Sequence, residues 1–129
     1  MSYFPFFREI EGEKCLVIGG GKVAARKISR LKGFGVKIKV VAPSIVSDIE
    51  AVVQACDNIS VERRIFTPQD IENVDFVIAA AGEEVDKEAA RLCKEKGIPV
   101  NVVDNQELCD FIFPVSYTHL RAHETRSNL

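Results

Sequence analysis

The chain has no tryptophan, a single methionine and only two histidines in 129 residues. Both histidines, His119 and His123, stand close to the C-terminus. None of the four cysteines (Cys15, Cys56, Cys93 and Cys109) forms a C-x-x-C pair, and no His–Cys cluster has zinc spacing, so no metal-ligand set is expected. Cys15 and Cys93 fall on apolar faces and read as core residues, with thiols suited to a reducing compartment. No apolar run is long enough to span a bilayer, and no charged-then-apolar leader opens the chain. A cytoplasmic protein with no membrane partner is therefore expected. Excess positive charge is missing as well: the net charge is −2, which leaves no nucleic-acid footprint.

What remains is enough for one core, since 47% of the residues are hydrophobic. The opening MSYFPFF is expected to lie on that core as an arm. The other end departs from everything before it. In PVSYTHLRAHETRSNL the periodicity stops, and the codons implied by Val115 to Thr125 spell a transposase-type sequencing adapter. The division expected is a native domain over 1–114 and a non-native, disordered or irregular tail over 115–129, with the natural protein interrupted near Pro114. Without Arg121, Arg126 and Glu124 of that tail, the native part carries net charge −3.

Buried-strand runs and amphipathic helical stretches alternate along the native part. KCLVIG (14–19) is a continuous apolar run, as in a strand buried on both faces. A helix over 22–34 follows, with Val23, Ala24, Ile28 and Leu31 inward and Gly33 or Gly35 at its end. Then come a strand over 36–43 and a helix over 44–56, capped by Ser44 or by Ser47 with Glu50. A weaker strand over 59–66 precedes a helical turn begun by Thr67 and Pro68. A buried strand over 75–82 leads to a helix over 83–97 with Val85, Ala89, Leu92 and Cys93 inward. A strand over 98–104 and a short one at 111–113 complete the pattern. This order predicts an α/β fold of Rossmann type, an open parallel sheet with helices on both faces.

At the first strand–helix corner, Gly19, Gly21 and Ala24 match G-x-G-x-x-[GA], with Gly20 between. The pattern carries weight because it follows a strand and opens a helix. Gly19 permits the turn, Gly21 lets a pyrophosphate approach the backbone, and Ala24 lets helix and strand pack closely. The first helical N–H groups lack intrahelical partners and carry partial positive charge, which an anion satisfies. A dinucleotide is the expected ligand. The second strand ends in VVAPS, with no Asp or Glu for the ribose, leaving Ser44 as the nearest polar group. No arginine follows that strand to receive an extra phosphate, so NAD is expected over NADP. Ligands in such sheets lie beyond the carboxyl ends of the strands, where Ala80, Ala81 and Gly82 leave room. Asp104 stands at one such end, either as a cap for NQEL or as a proton acceptor or metal contact. Asn101, Cys109 and Asp110 read as structural.

Taken together, FPFFREIEGEKCLVIGGGKVAARK, VKIKVVAPS, DFVIAAAG and PVNVVDNQELCDFIFP resemble the precorrin-2 dehydrogenase/sirohydrochlorin ferrochelatase module of siroheme synthases. The resemblance covers essentially the whole chain to Pro114. It implies NAD-dependent oxidation of precorrin-2, a tetrapyrrole, to sirohydrochlorin, and in bifunctional members insertion of ferrous iron. It assigns proton abstraction to Asp104, and cofactor contacts to Lys22, Val23, Pro43 and Ser44. It also implies a homodimer for the complete protein, with a dimerisation segment and a helical domain beyond FIFP that help enclose the tetrapyrrole and that this chain lacks. AAAG at 79–82 departs from the family's commoner AATD. The rival reading is a Rossmann module that senses NAD or another nucleotide without chemistry.

Overall fold

A computed structural model describes residues 2–113. The proposed tail over 115–129 and the boundary at 114 lie outside the described residues. Five parallel strands form one sheet: β1 (Lys14–Ile18), β2 (Lys37–Val41), β3 (Ile59–Glu62), β4 (Phe76–Ala79) and β5 (Val100–Val102). Their order is β3-β2-β1-β4-β5. The chain winds outward from β1 to β3, then returns to the other side of β1 with β4. The switch in strand order therefore falls between β1 and β4, and the crevice beyond their carboxyl ends is where such sheets bind ligands.

The side-chain alternation of β1 builds two cores. Cys15 and Val17 face one layer with Ala24, Ala25 and Ile28 of α1 (Lys22–Leu31) and Ile49 of α2 (Ser47–Ala55). Leu16 and Ile18 face the other with Ala89, Ala90 and Cys93 of α3 (Glu83–Lys96). Ile28, Ile49 and Ile78 are fully buried, and truncating any of them to Ala would cost about 2–5 kcal/mol. The α/β Rossmann-type expectation holds.

Several local expectations do not. The first helix is α-helical only to Leu31 and tightens into a 3-10 turn, Lys32–Phe34, although Gly35 closes it as expected, at φ 72°. The second helix is capped by Val46, not Ser44 or Ser47, and makes no side-chain cap bond. The backbone explains the shift, because Val46 N–H donates to the Gly20 carbonyl at 2.8 Å and so fixes where the helix begins. β3 stops at Glu62, where Arg64 N–H turns back onto the Glu62 carbonyl and the Arg64 guanidinium reaches Asp70. Thr67 and Pro68 do open a 3-10 turn, Pro68–Ile71, with the Asp70 carboxylate accepting from Thr67 N–H.

In α3, Asp86 rather than Val85 turns inward; Asp86 is 3% exposed and Val85 37%. The stretch at 111–113 is not a strand. Asp110 pairs with Val100 through both its own N–H and its carboxylate, and Asn101 Nδ2 donates to the Phe111 carbonyl. Phe111 and Phe113 are thereby carried off the sheet edge and onto the core beside α1. The N-terminal arm does not lie on the core: Phe4, Phe6 and Phe7 are 75%, 87% and 65% exposed, and Ile10 is the first residue to join it.

Candidate functional site

Gly19 adopts φ 129°, and a Cβ there would run into the Ala80 carbonyl. Only glycine fits, because β1 and β4 are adjacent and Ala80 N–H bonds the Ile18 carbonyl at 2.7 Å. Gly20 is equally constrained, which the motif alone does not reveal: a Cβ there would strike the Ser44 carbonyl and crowd Ile45. The corner is thus wedged between the loop after β2 and the loop after β4, and Pro43, Ser44, Ala80 and Ala81 line its flanks. Gly21 differs. A Cβ on it would meet nothing within 4 Å, and its position is exposed.

Gly21 caps α1 with no side-chain hydrogen bond, and the first turn of α1 holds no acidic residue. Its opening residue is instead Lys22, whose charge sits at the positive end of the helix dipole. That placement is unfavourable in isolation and favourable once an anion occupies the end. An open approach at Gly21, amides without intrahelical partners and a nearby ammonium fit a diphosphate. Gly19 and Gly20 shape the turn, while Gly21, Lys22 and Val23 are the residues that would hold the phosphates.

The loop after β4 is built differently. Gly82 caps α3 at φ 126°, but the buried Asp86 carboxylate accepts from Ala81 N–H at 2.9 Å and Gly82 N–H at 3.4 Å. Glu83 and Glu84 add further negative charge to that turn. Burial pushes the Asp86 carboxyl above its usual range, against the two amide bonds. Sequence periodicity missed Asp86; its spacing from Gly82 within an acidic first turn was the available signal.

Asp104 lies two residues beyond β5, exposed, with φ 60°. It does not cap the following 3-10 turn, Gln106–Leu108, whose cap is Asn105. A non-glycine residue in the left-handed region is uncommon and concentrates at functional sites, although Asp tolerates it better than most. Across from it, Lys27 Nζ lies 4.1 Å from the centroid of the Phe113 ring. Burial, then the charge of Arg30, lowers the Lys27 pKa, while Cys109 and Asp104 pull it back up. Lys27 is therefore not on a freely solvated face. Asn101, Cys109 and Asp110 are structural: Cys109 Sγ accepts from Val102 N–H at 3.1 Å, beside the bonds of Asn101 and Asp110 described above. Cys15 is buried, with its thiol pKa pushed far up, and burial raises Cys93 to about 11. Among the described residues no group of three His, Cys, Asp or Glu gathers to hold a metal, and no helix is long and apolar enough to cross a membrane.

A glycine-cornered, amide-lined helix start at the switch point of a parallel sheet defines a dinucleotide-binding domain of Rossmann type. The chain belongs to the family described as "Putative NAD(P)-binding", whose model matches residues 6–115. It is 42% identical over 115 residues to the siroheme synthase of Nitrosomonas eutropha, covering 88% of this chain and 24% of that protein. To the probable multifunctional siroheme biosynthesis protein HemA of Ruminiclostridium josui it is 36% identical, covering 88% of this chain and 22% of that one. The chain thus spans about a quarter of the length of these curated relatives. In structure it is similar to SirC, precorrin-2 dehydrogenase, with TM-score 0.70 and 21% identity, covering 98% of this chain and 71% of that one. That likeness is one of fold.

Proposed function

We propose that this chain is the cofactor-binding domain of an NAD-dependent dehydrogenase that oxidises precorrin-2 to sirohydrochlorin in siroheme biosynthesis. The observation that carries the reading is the open corner at Gly21, in a chain 42% identical to a siroheme synthase over 88% of its length. Bound NAD supplies a hydride acceptor. The chain's own residues then have three tasks. Gly21, Lys22 and Val23 fix the diphosphate, and Pro43 and Ser44 flank the adenosine half. Ala80, Ala81 and Gly82 leave space for the nicotinamide half. Asp104 accepts the proton that leaves the tetrapyrrole along with the hydride, its carboxylate exposed and held in a left-handed turn. NAD is preferred over NADP, because no basic side chain follows β2.

The substrate is the tetrapyrrole, and ferrous iron is a further substrate if the whole enzyme also completes siroheme; Asp104 is the carboxylate that would take part. A homodimer and a cytoplasmic location are the expected setting for the complete protein. An anaerobic absorbance assay of the longer protein with precorrin-2 and NAD tests the reading. Turnover that Asp104→Asn abolishes, with NAD affinity retained, is the expected result. Full turnover in that variant would remove Asp104 from the chemistry, and nucleotide binding with no oxidation in the parent would favour a sensor. Iron insertion is assayed separately, as siroheme formed from sirohydrochlorin.

A further inference from the structure

We propose that the Glu50–Arg63 ion pair selects between the two dinucleotides, with Glu50 the residue that favours NAD over its 2′-phosphorylated form. The proposal rests on the dinucleotide reading above and deepens it. Dinucleotide-binding domains ordinarily place an Asp or Glu at the end of the second strand to read the ribose. Here that end runs into Pro43 and Ser44, and no carboxylate stands there. The edge is nevertheless charged, from two directions.

From one side comes α2, fastened to the glycine corner by the bond from Val46 N–H to the Gly20 carbonyl. Its first turn carries Asp48 and Glu50. From the other comes β3. Ala42 N–H donates to the Glu62 carbonyl at 3.2 Å, so Arg63, the next residue, leaves the sheet beside the chain that runs from Ala42 to Ser44. Arg63 meets Glu50 at 3.6 Å, with the two side chains 56% and 49% exposed. The neighbouring Arg64 is tied to both Glu62 and Asp70. Arg63 instead has one long, solvent-exposed ion pair.

A 2′-phosphate brings up to two negative charges and oxygens that match a guanidinium fork. With Glu50 in place, that phosphate has to displace a carboxylate from Arg63 and then face it. A ribose hydroxyl carries no charge and can donate to a carboxylate. The pair therefore presents NAD with an acceptor and NADP with repulsion, although the edge holds an arginine. Selectivity of this kind comes from the repulsive element as much as the attractive one.

Calorimetric titration of the full chain with NAD and with NADP tests this in four proteins: the parent, Glu50→Gln, Arg63→Gln and the double variant. Both side chains are exposed, and melting curves confirm that folding is unaffected. The parent should prefer NAD. Glu50→Gln should shift the NADP-to-NAD affinity ratio by roughly tenfold toward NADP, by tightening NADP, with a gain that shrinks as salt rises. The double variant should lose the gain. A ratio in Glu50→Gln within about twofold of the parent, with NAD still bound, would sink the selector alone. A gain that survives Arg63→Gln would do the same. A folded parent that takes neither dinucleotide would overturn the dinucleotide reading along with it.

Discussion

Two helices, α1 and α3, start behind glycines at the carboxyl ends of the neighbouring strands β1 and β4, yet their starts are charged in opposite ways. At α3, the buried Asp86 carboxylate takes Ala81 and Gly82 N–H, and three acidic residues occupy the first turn. At α1 the first turn is free of acid, no side chain caps it, and Lys22 stands at its positive end. A helix start flanked by its own carboxylates repels a second anion, whereas one flanked by an ammonium attracts it. Of the two glycine corners at the switch point, the comparison favours the one at α1 for the proposed diphosphate. It also separates two duties that the motif merges. Gly19 and Gly20 keep the backbone clear of its neighbours, whereas Gly21 faces open space, as the proposed diphosphate site requires.

The largest expected break falls on the first duty. Gly20→Val would drive a branched side chain into the Ser44 carbonyl and part the β1 and β2 loops. Steric insertion of this kind costs about 3 kcal/mol or more. Urea unfolding should show that loss, and NAD binding should disappear with it. A variant as stable as the parent would mean that the two loops are not in contact.

The next effect belongs to α3. Asp86→Ala leaves the Ala81 and Gly82 amides without their acceptor, at about 1–3 kcal/mol. The charge itself gives a sharper test. Burial raises the Asp86 pKa in the folded state, so the folded chain holds its proton more tightly than the unfolded one. The contribution is therefore fully present below the ordinary carboxylate pKa and lost as pH rises through the raised value. Asp86→Asn should remove that decline. Denaturant midpoints measured across the acid range should show the parent falling relative to the variant as pH increases, and parallel curves would contradict the assignment. Asp70 works in the opposite sense, since Arg64 lowers its pKa and its contribution fades as pH falls.

How much of this was legible beforehand follows from the range of each contact. The sheet, its buried strands and the first glycine corner come from local periodicity and a motif read within one strand–helix unit. Gly20 was legible only as a variable place, because the carbonyl that excludes its side chain belongs to Ser44, in the loop after the next strand. The start of α2 was misplaced for the same reason: the Val46 N–H is taken by Gly20 rather than by a serine cap. Asp86 was hidden by the helical stripe, which favours an apolar Val85 inward and cannot register a carboxylate folding back onto its own loop. Asp104 was legible as a residue, and its left-handed backbone was not.

The smallest effect on the fold separates the two corners most cleanly. Gly21 has an extended backbone, φ −93°, that alanine also adopts, and open space where a Cβ would go. Gly21→Ala should therefore leave the melting temperature close to that of the parent. Its methyl group would instead occupy the approach reserved for the diphosphate and weaken NAD about tenfold or more, roughly 1.4 kcal/mol. Gly82→Ala is the counterpart. Its left-handed φ of 126° makes alanine strained, so stability should fall, while NAD affinity per folded molecule should drop less than in Gly21→Ala, because Gly82 flanks the proposed nicotinamide half and not the diphosphate. Titration and melting of both variants would yield a crossed pattern if α1 alone receives the anion. If Gly82→Ala weakened NAD more than Gly21→Ala did, the two helix starts would have to exchange roles.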